Sequence, residues 1–147
     1  MNKNILEKLH VVLALALAIF FIYKGYGKYT SDTLKPLEQS QVVEYIFENN
    51  SYAAPVGYNI VMNTFKQSGF LGMIALFQIL AGILIILPKT RLVGLLFLLP
   101  MIFNIFFMHI FFDNRMDENI ETGILLGINC LLLLHYKSHI ASLFRPR

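Results

Sequence analysis

His109 and Asp113 lie four residues apart in the stretch "NIFFMHIFFDN", residues 104–114. On a helix that spacing puts an imidazole and a carboxylate on one face, a pairing that can relay a proton or hold the polar group of a ligand. Glu121 and the pair Lys24 and Lys28, again four apart, carry matching charges. Three amides, Gln78, Asn104 and Asn129, are set inside apolar runs. Beyond these the inventory is thin. No nucleophile–base pair, phosphate loop or HExxH motif is present, so no catalytic residue is assigned. Cys130 is the single cysteine, which excludes an intrachain disulfide, a zinc knuckle and a CxxCH haem attachment. His135 and His139 have ligand spacing, and His10 with His135 is the one pair that could face across a haem. These histidines sit beside lysines at the ends of apolar runs and read as a solvated interface, so no metal site is expected. Met73, Met101 and Met108 read as gap-filling core.

Such residues need a frame, and composition says what surrounds it. Of 147 residues, 56% are hydrophobic and 14% charged, against about a quarter charged in a soluble domain. Lipid is the expected solvent, and the chain reads as a single membrane domain over residues 1–147. Its net charge of +3 is small and dispersed, which argues against nucleic acid. A crossing needs roughly 20 apolar residues for about 30 Å of hydrocarbon. Four segments approach this, at about 9–23, 70–87, 92–112 and 120–134. The expected fold is therefore all-α, an integral membrane four-helix bundle. Lys8 and Lys24 can snorkel from the ends of the short first span, while His135 and Tyr136 extend the fourth. The first span leaves through "FIYKGYGKY" without a small-x-small cleavage site, and reads as an uncleaved anchor.

Cation placement sets the orientation. Lys3 and Lys8, the "PKTR" turn, and Lys137, Arg145 and Arg147 put both chain ends and that turn on the cytoplasmic side, N-in and C-in. The acidic loop "DNRMDEN" and the outer segment 24–69 then face outward. That long loop between the first two spans is expected to be partly helical. Val42, Val43, Ile46 and Phe47 form one stripe opposite Gln41, Glu44 and Glu48, with Pro36 suited to a start and "NNS" to a stop. Either a short helix lies over the outer mouth or along the headgroups, or the loop is mobile.

Because successive spans alternate in direction, depth follows from position. Gln78, Asn104 and Asn129 each fall near the middle of a span and are expected in one layer, bonding across helices or to a ligand. Lys28, His109, Asp113 and Glu121 form a second layer nearer the outer surface. Asn104 and His109 are five apart, about 140° around an ideal helix, so they face one ligand only if the Pro100 kink rotates them. Small residues mark close helix contacts: Ala14 with Ala18, Ala75 with Gly82, and Gly123 with Gly127. Internal packing accounts for the last pair more simply than a homodimer, which stays open.

The stretches "YKGYGKY", with Gly25 and Lys28, and "FQILAGILIILPKTRLVG", with a polar residue, a glycine four on and a short basic turn, resemble the DoxX-like family of small four-span bacterial membrane proteins. The resemblance covers most of residues 9–136 outside the outer loop. It implies a multi-pass protein of the bacterial cytoplasmic (inner) membrane, and some relatives are linked to quinone-coupled sulfur oxidation or other redox systems. Gln78 stands where the family's motif would have an acid, and an amide cannot take over an acid's proton chemistry.

Two functions follow. In the first, the protein is a redox-accessory component that holds a quinone or similar lipophilic molecule through Gln78, Asn104, His109 and Asn129; at most it is a membrane oxidoreductase subunit. In the second it is a non-enzymatic scaffold, its polar residues serving helix packing and residues 30–69 docking a membrane or extracytoplasmic protein. A transporter is third, since four spans are few and no inverted repeat is evident.

Overall fold

The computed structural model describes residues 3–44 and 56–143, and these are helical wherever they are regular. In chain order the helices are α1 Lys3–Thr30, α2 Gln39–Val43, α3 Val56–Gln67, α4 Phe70–Ile86, α5 Arg91–Met108, α6 Met116–Leu134 and α7 Lys137–Leu143. A 3-10 turn, Asp32–Leu34, follows α1, and a π-helical turn, His109–Asp113, closes α5. No strand occurs among the described residues.

Two stretches, Asn4–Thr30 and Arg91–Asp113, are each long and apolar enough to cross a membrane. A third meets that standard only if α3 and α4 count as one span, and they are bent by 81° at their junction. The first helix runs well past the expected 9–23, so Lys24 and Lys28 stand on it rather than beyond it. The helix over 120–134 starts four residues early and carries Asp117 and Glu118 in its first turn. Acidic groups there sit favourably against the positive end of the helix dipole.

The outer segment divides. Gln39 rather than Pro36 opens α2, where the Gln41 side chain accepts the Glu38 backbone N–H at 3.0 Å. The rest of the expected stripe, Ile46 and Phe47, and the "NNS" stop lie outside the described residues. The helix that does lie across the end of the assembly is α3, which packs on α4 and on the π turn.

Around the core α1 packs on α4, α4 on α5, α5 on α6, and α6 back on α1. Ala14, Leu17, Ala18 and Phe21 meet Ala81, Ile85, Leu95, Leu98, Ile102 and Leu132 there. The outward faces are apolar too: Val12, Ile19, Val93, Phe103, Ile124 and Leu131 are all more than half exposed. A surface of that kind is matched to lipid rather than water.

Glycine sets how closely α1 approaches α4. A Cβ on Gly82 would lie 2.5 Å from Ile22 Cγ1 and 2.8 Å from the Ala18 carbonyl oxygen. A Cβ on Gly25 would lie 2.7 Å from the Ala75 carbonyl oxygen. The two glycines thus let backbones touch twice along one interface, the packing mode open to helices in lipid. Of the expected Gly123–Gly127 pair, only Gly123 meets a neighbour, the Phe106 ring at 3.1 Å; Gly127 faces open space.

At the end holding the "PKTR" turn, Arg91 is buried and its Nε donates to the Ile85 carbonyl at 3.0 Å. That carbonyl belongs to the last turn of α4, where cations are favoured. His10 is buried at the same end rather than solvated. Its ring stacks on His135, centroids 4.2 Å apart, with Tyr136 edge-on.

Candidate functional site

Lys28 lies one helical turn beyond Gly25 on α1, so the close approach at Gly25 delivers its ammonium to α4. There Nζ donates to Gln78 Oε1 at 3.0 Å. Gln78 is buried, and its amide oxygen is held by this bond instead of by the other two amides. Lys28 Nζ also reaches the Lys24 carbonyl at 3.4 Å. Lys24 turns the other way, 3.1 Å from Glu121 Oε1 and over the Phe20 ring at 5.2 Å.

The facing wall is built by the π turn. Its last backbone bond runs from Asn114 N–H to the His109 carbonyl, and Asn114 adopts the left-handed conformation that ends the helix. Asn is among the few residues that take this conformation readily. The turn buries Asp113 almost completely and sets its Oδ2 2.9 Å from His109 Nδ1. Arg115 Nε donates to both Asp113 oxygens, at 3.0 and 2.9 Å, and Arg115 also bonds Glu118 Oε1 at 3.3 Å. The Asp113 hydrogen bond pushes the Arg115 guanidinium pKa further up, so Arg115 stays charged. A carboxylate bound in this way is acceptor-only, so the proton between it and the imidazole belongs to His109 Nδ1. In the neutral ring, Nε2 is then the acceptor. Glu118 Oε2, at 3.9 Å, is too far to bond it directly.

Between these walls lies a cavity of about 270 Å³. Lys28, Gln78, His109 and Glu121 line it, and Asp113 supports His109 from behind. Phe20, Phe21, Leu71, Ile74 and Ile102 supply an apolar floor, while Tyr58, Met62 and Phe65 of α3 close it over. The Tyr58 and His109 rings are 5.6 Å apart. Pockets that hold small lipophilic molecules combine such walls with a few convergent polar groups.

Two expected members are elsewhere. Asn104 is exposed on the outer face of α5, its Nδ2 donating to the Pro100 carbonyl one turn back at 2.9 Å. It satisfies its own helix and meets no other, and the five-residue spacing keeps it away from His109. Asn129 is completely buried nearer the opposite end and donates to the Leu95 carbonyl of α5 at 3.3 Å. The amides therefore do not form one layer: Gln78 faces the cavity, Asn129 joins two helices and Asn104 joins none.

Sequence reasoning passed over Tyr58, Thr122 as a cavity residue, and Arg115 with Glu118 as the clamp on Asp113. Arg115 and Glu118 are three apart, a helix-neighbour spacing, but in the sequence they read as loop charges. Among the described residues no group of three or more His, Cys, Asp or Glu could hold a metal ion.

A family model described as DoxX matches residues 10–110. No curated protein and no solved structure matches the chain.

Proposed function

The chain belongs to the DoxX family, and from that premise we propose a membrane four-helix bundle of α1, α4, α5 and α6, both chain ends cytoplasmic, that binds a quinone or a similar lipophilic molecule as a redox-accessory component. The observation that carries this reading is the cavity. It is walled by aromatic and aliphatic side chains and lies where α1, α4, α5 and α6 converge under α3. Its polar groups divide into a donor side, Lys28, and an acceptor side, His109 Nε2 held in register by Asp113. A quinone carbonyl would accept from the first, and a quinol hydroxyl would donate to the second. In this reading the "PKTR" turn and the stacked histidines lie near the cytoplasmic surface, and the cavity lies in the outer half of the membrane.

Purification in mild detergent followed by lipid extraction tests it. Recovered quinone, or saturable binding of decylubiquinone that His109→Gln weakens, is the expected outcome. Absence of both from well-folded protein would overturn quinone as the ligand.

A scaffold role is the second reading. It is favoured by Asn129, which spends its amide on the Leu95 carbonyl of the neighbouring helix. It places a protein partner on residues 30–69, and expects His109→Ala to complement a deletion strain as well as the unaltered protein does.

A further inference from the structure

Lys28 is the cation on the cavity lining that no carboxylate touches among the described residues. The other ionisable groups on the lining each touch a group that answers them, although Arg115 alone serves two carboxylates. Lys24 has Glu121 and the face of Phe20. Glu118 has Arg115, which also clamps Asp113. His109 has Asp113. Lys28 has only neutral oxygens, Gln78 Oε1 and the Lys24 carbonyl, and no carboxylate pairs with it among the described residues. The charged neighbour it does have, Lys24, is another cation. An ammonium has three N–H groups, and these two bonds leave one without an acceptor among the described residues.

A cation drawn out of water is costly unless an opposite charge meets it. A neutral carbonyl would complete the hydrogen bonding of Lys28 but bring no opposite charge into contact with it. An oxyanion does both, and hydrogen bonds between ionised partners are the stronger class. The cavity volume suits a head group with a modest length of chain rather than a whole two-chain lipid. Phe20, Phe21, Leu71 and Ile102 would take that chain.

We infer that the cavity's occupant is a single-chain amphiphile bearing one negative charge on oxygen, its oxyanion seated on Lys28 and its chain along the aromatic floor. This rests on the reading that the cavity holds a lipophilic molecule, and narrows the class of that molecule. A carboxylate and a phosphate monoester share the required chemistry, and the two are separable by experiment.

The test uses the full chain in phosphatidylcholine nanodiscs, with empty nanodiscs subtracted to remove partitioning into lipid. Dodecanoate, dodecyl phosphate, dodecanol and decylubiquinone are titrated by calorimetry. At least one of the two anions should bind about tenfold or more tightly than dodecanol, and the stronger of the two identifies the head group. Lys28→Gln should bring the anion down to the level of the alcohol, and Lys28→Arg should retain part of the preference. Dodecanol or decylubiquinone binding as tightly as the stronger anion would overturn the inference and leave the cavity reading standing. So would an anion preference that survives Lys28→Gln. Binding of none of the four would remove both. The comparison of anion with alcohol on the unaltered chain decides the matter even if the Gln variant does not fold.

Discussion

Both ends of the helix assembly bring an imidazole from one helix against its neighbours, and they use it in opposite ways. At the end covered by α3, His109 has a carboxylate four residues on. Asp113 accepts a hydrogen bond from its Nδ1–H, Arg115 and Glu118 complete the cluster, and a cavity is left in front of the ring. At the "PKTR" end, His10 has no acidic partner among the described residues. It stacks on His135, with Tyr136 and Ile140 packed against the core beside them, and its Nε2 is buried without a hydrogen-bond partner. One ring is oriented by charge and faces space; the other is wedged by shape and fills it. A polar residue near a helix end therefore carries little functional meaning alone. What separates the two is whether neighbours fix the direction of its remaining polar atom and leave room in front of it.

The largest effect should come from removing the group that orients His109. Asp113→Ala leaves Arg115 and His109 without their common acceptor beneath a nearly fully buried position. Hydrogen bonds to charged groups contribute more than neutral ones, but Arg115 is partly exposed and water will recover some of the loss. A fall of about 3 kcal/mol in unfolding free energy is expected, read as a lowered thermal midpoint in mild detergent. Asp113→Asn should lose less, since the amide oxygen can still accept one bond. If Asp113→Ala melts like the unaltered protein, the oriented end is no more rigid than the stacked one.

Gly25→Ala is next. Its Cβ would meet the Ala75 carbonyl oxygen at 2.7 Å and Ile79 Cγ1 at 2.8 Å. The backbone oxygen cannot turn aside as a side chain can, so α1 and α4 must separate, at a cost of about 2 kcal/mol. Because Lys28 stands one turn further on, the same shift should weaken its bond to Gln78 and reduce anion binding. The His10–His135 stack, at the far end of α1, should keep its geometry; ring-current shifts of the His10 protons in NMR spectra would report on it. Loss of that stack in Gly25→Ala would mean the two ends are coupled through α1.

These substitutions also show which features could be read from the chain. Apolar runs of sufficient length exposed the helices of the core, and the small-residue spacings Ala14–Ala18 and Ala75–Gly82 marked faces that pack closely, while the Gly25–Lys28 spacing entered only through the family resemblance. The i,i+4 spacing exposed the His109–Asp113 pair because both residues belong to one helical face. Asn104 was misplaced because depth in a span says nothing about azimuth. Its amide could be satisfied by the carbonyl one turn back in its own helix as well as by a neighbour. Tyr58 was invisible for a different reason. It reaches the cavity only because α3 folds back by 81° on α4, and no periodicity within "PVGYNIVMN" encodes that angle. The burial of His10 likewise depends on where α6 ends relative to α1, a property of two helices and not of either sequence.

His109→Gln should have a smaller effect than either change above, and one confined to binding. Glutamine can still donate to Asp113, so the unfolding free energy should move by about 1 kcal/mol or less. It has no ring nitrogen to present to the cavity, and its amide cannot stand both against Asp113 and where Nε2 stood. Affinity for decylubiquinone should fall about tenfold, roughly 1.4 kcal/mol, as measured by calorimetry in nanodiscs. Unchanged affinity would place the acceptor side of the cavity outside the binding contacts.

The smallest effect belongs to His10→Phe. Phenylalanine can occupy the slot between His135 and Tyr136 and stack there, since ring packing contributes much of what holds that position. The substitution removes a buried ring nitrogen that has no partner, which is favourable. It also removes the interaction of the imidazole with the Leu132 backbone, which is unfavourable. The two nearly cancel, so thermal stability should change by about 1 kcal/mol or less, and ligand affinity at the other end should not change at all. A large loss of binding in His10→Phe, with the thermal midpoint preserved, would show that the stacked histidines do more than close their end of the assembly. The contrast between an imidazole held by charge and one held by shape would then have to be redrawn as two stations on one path.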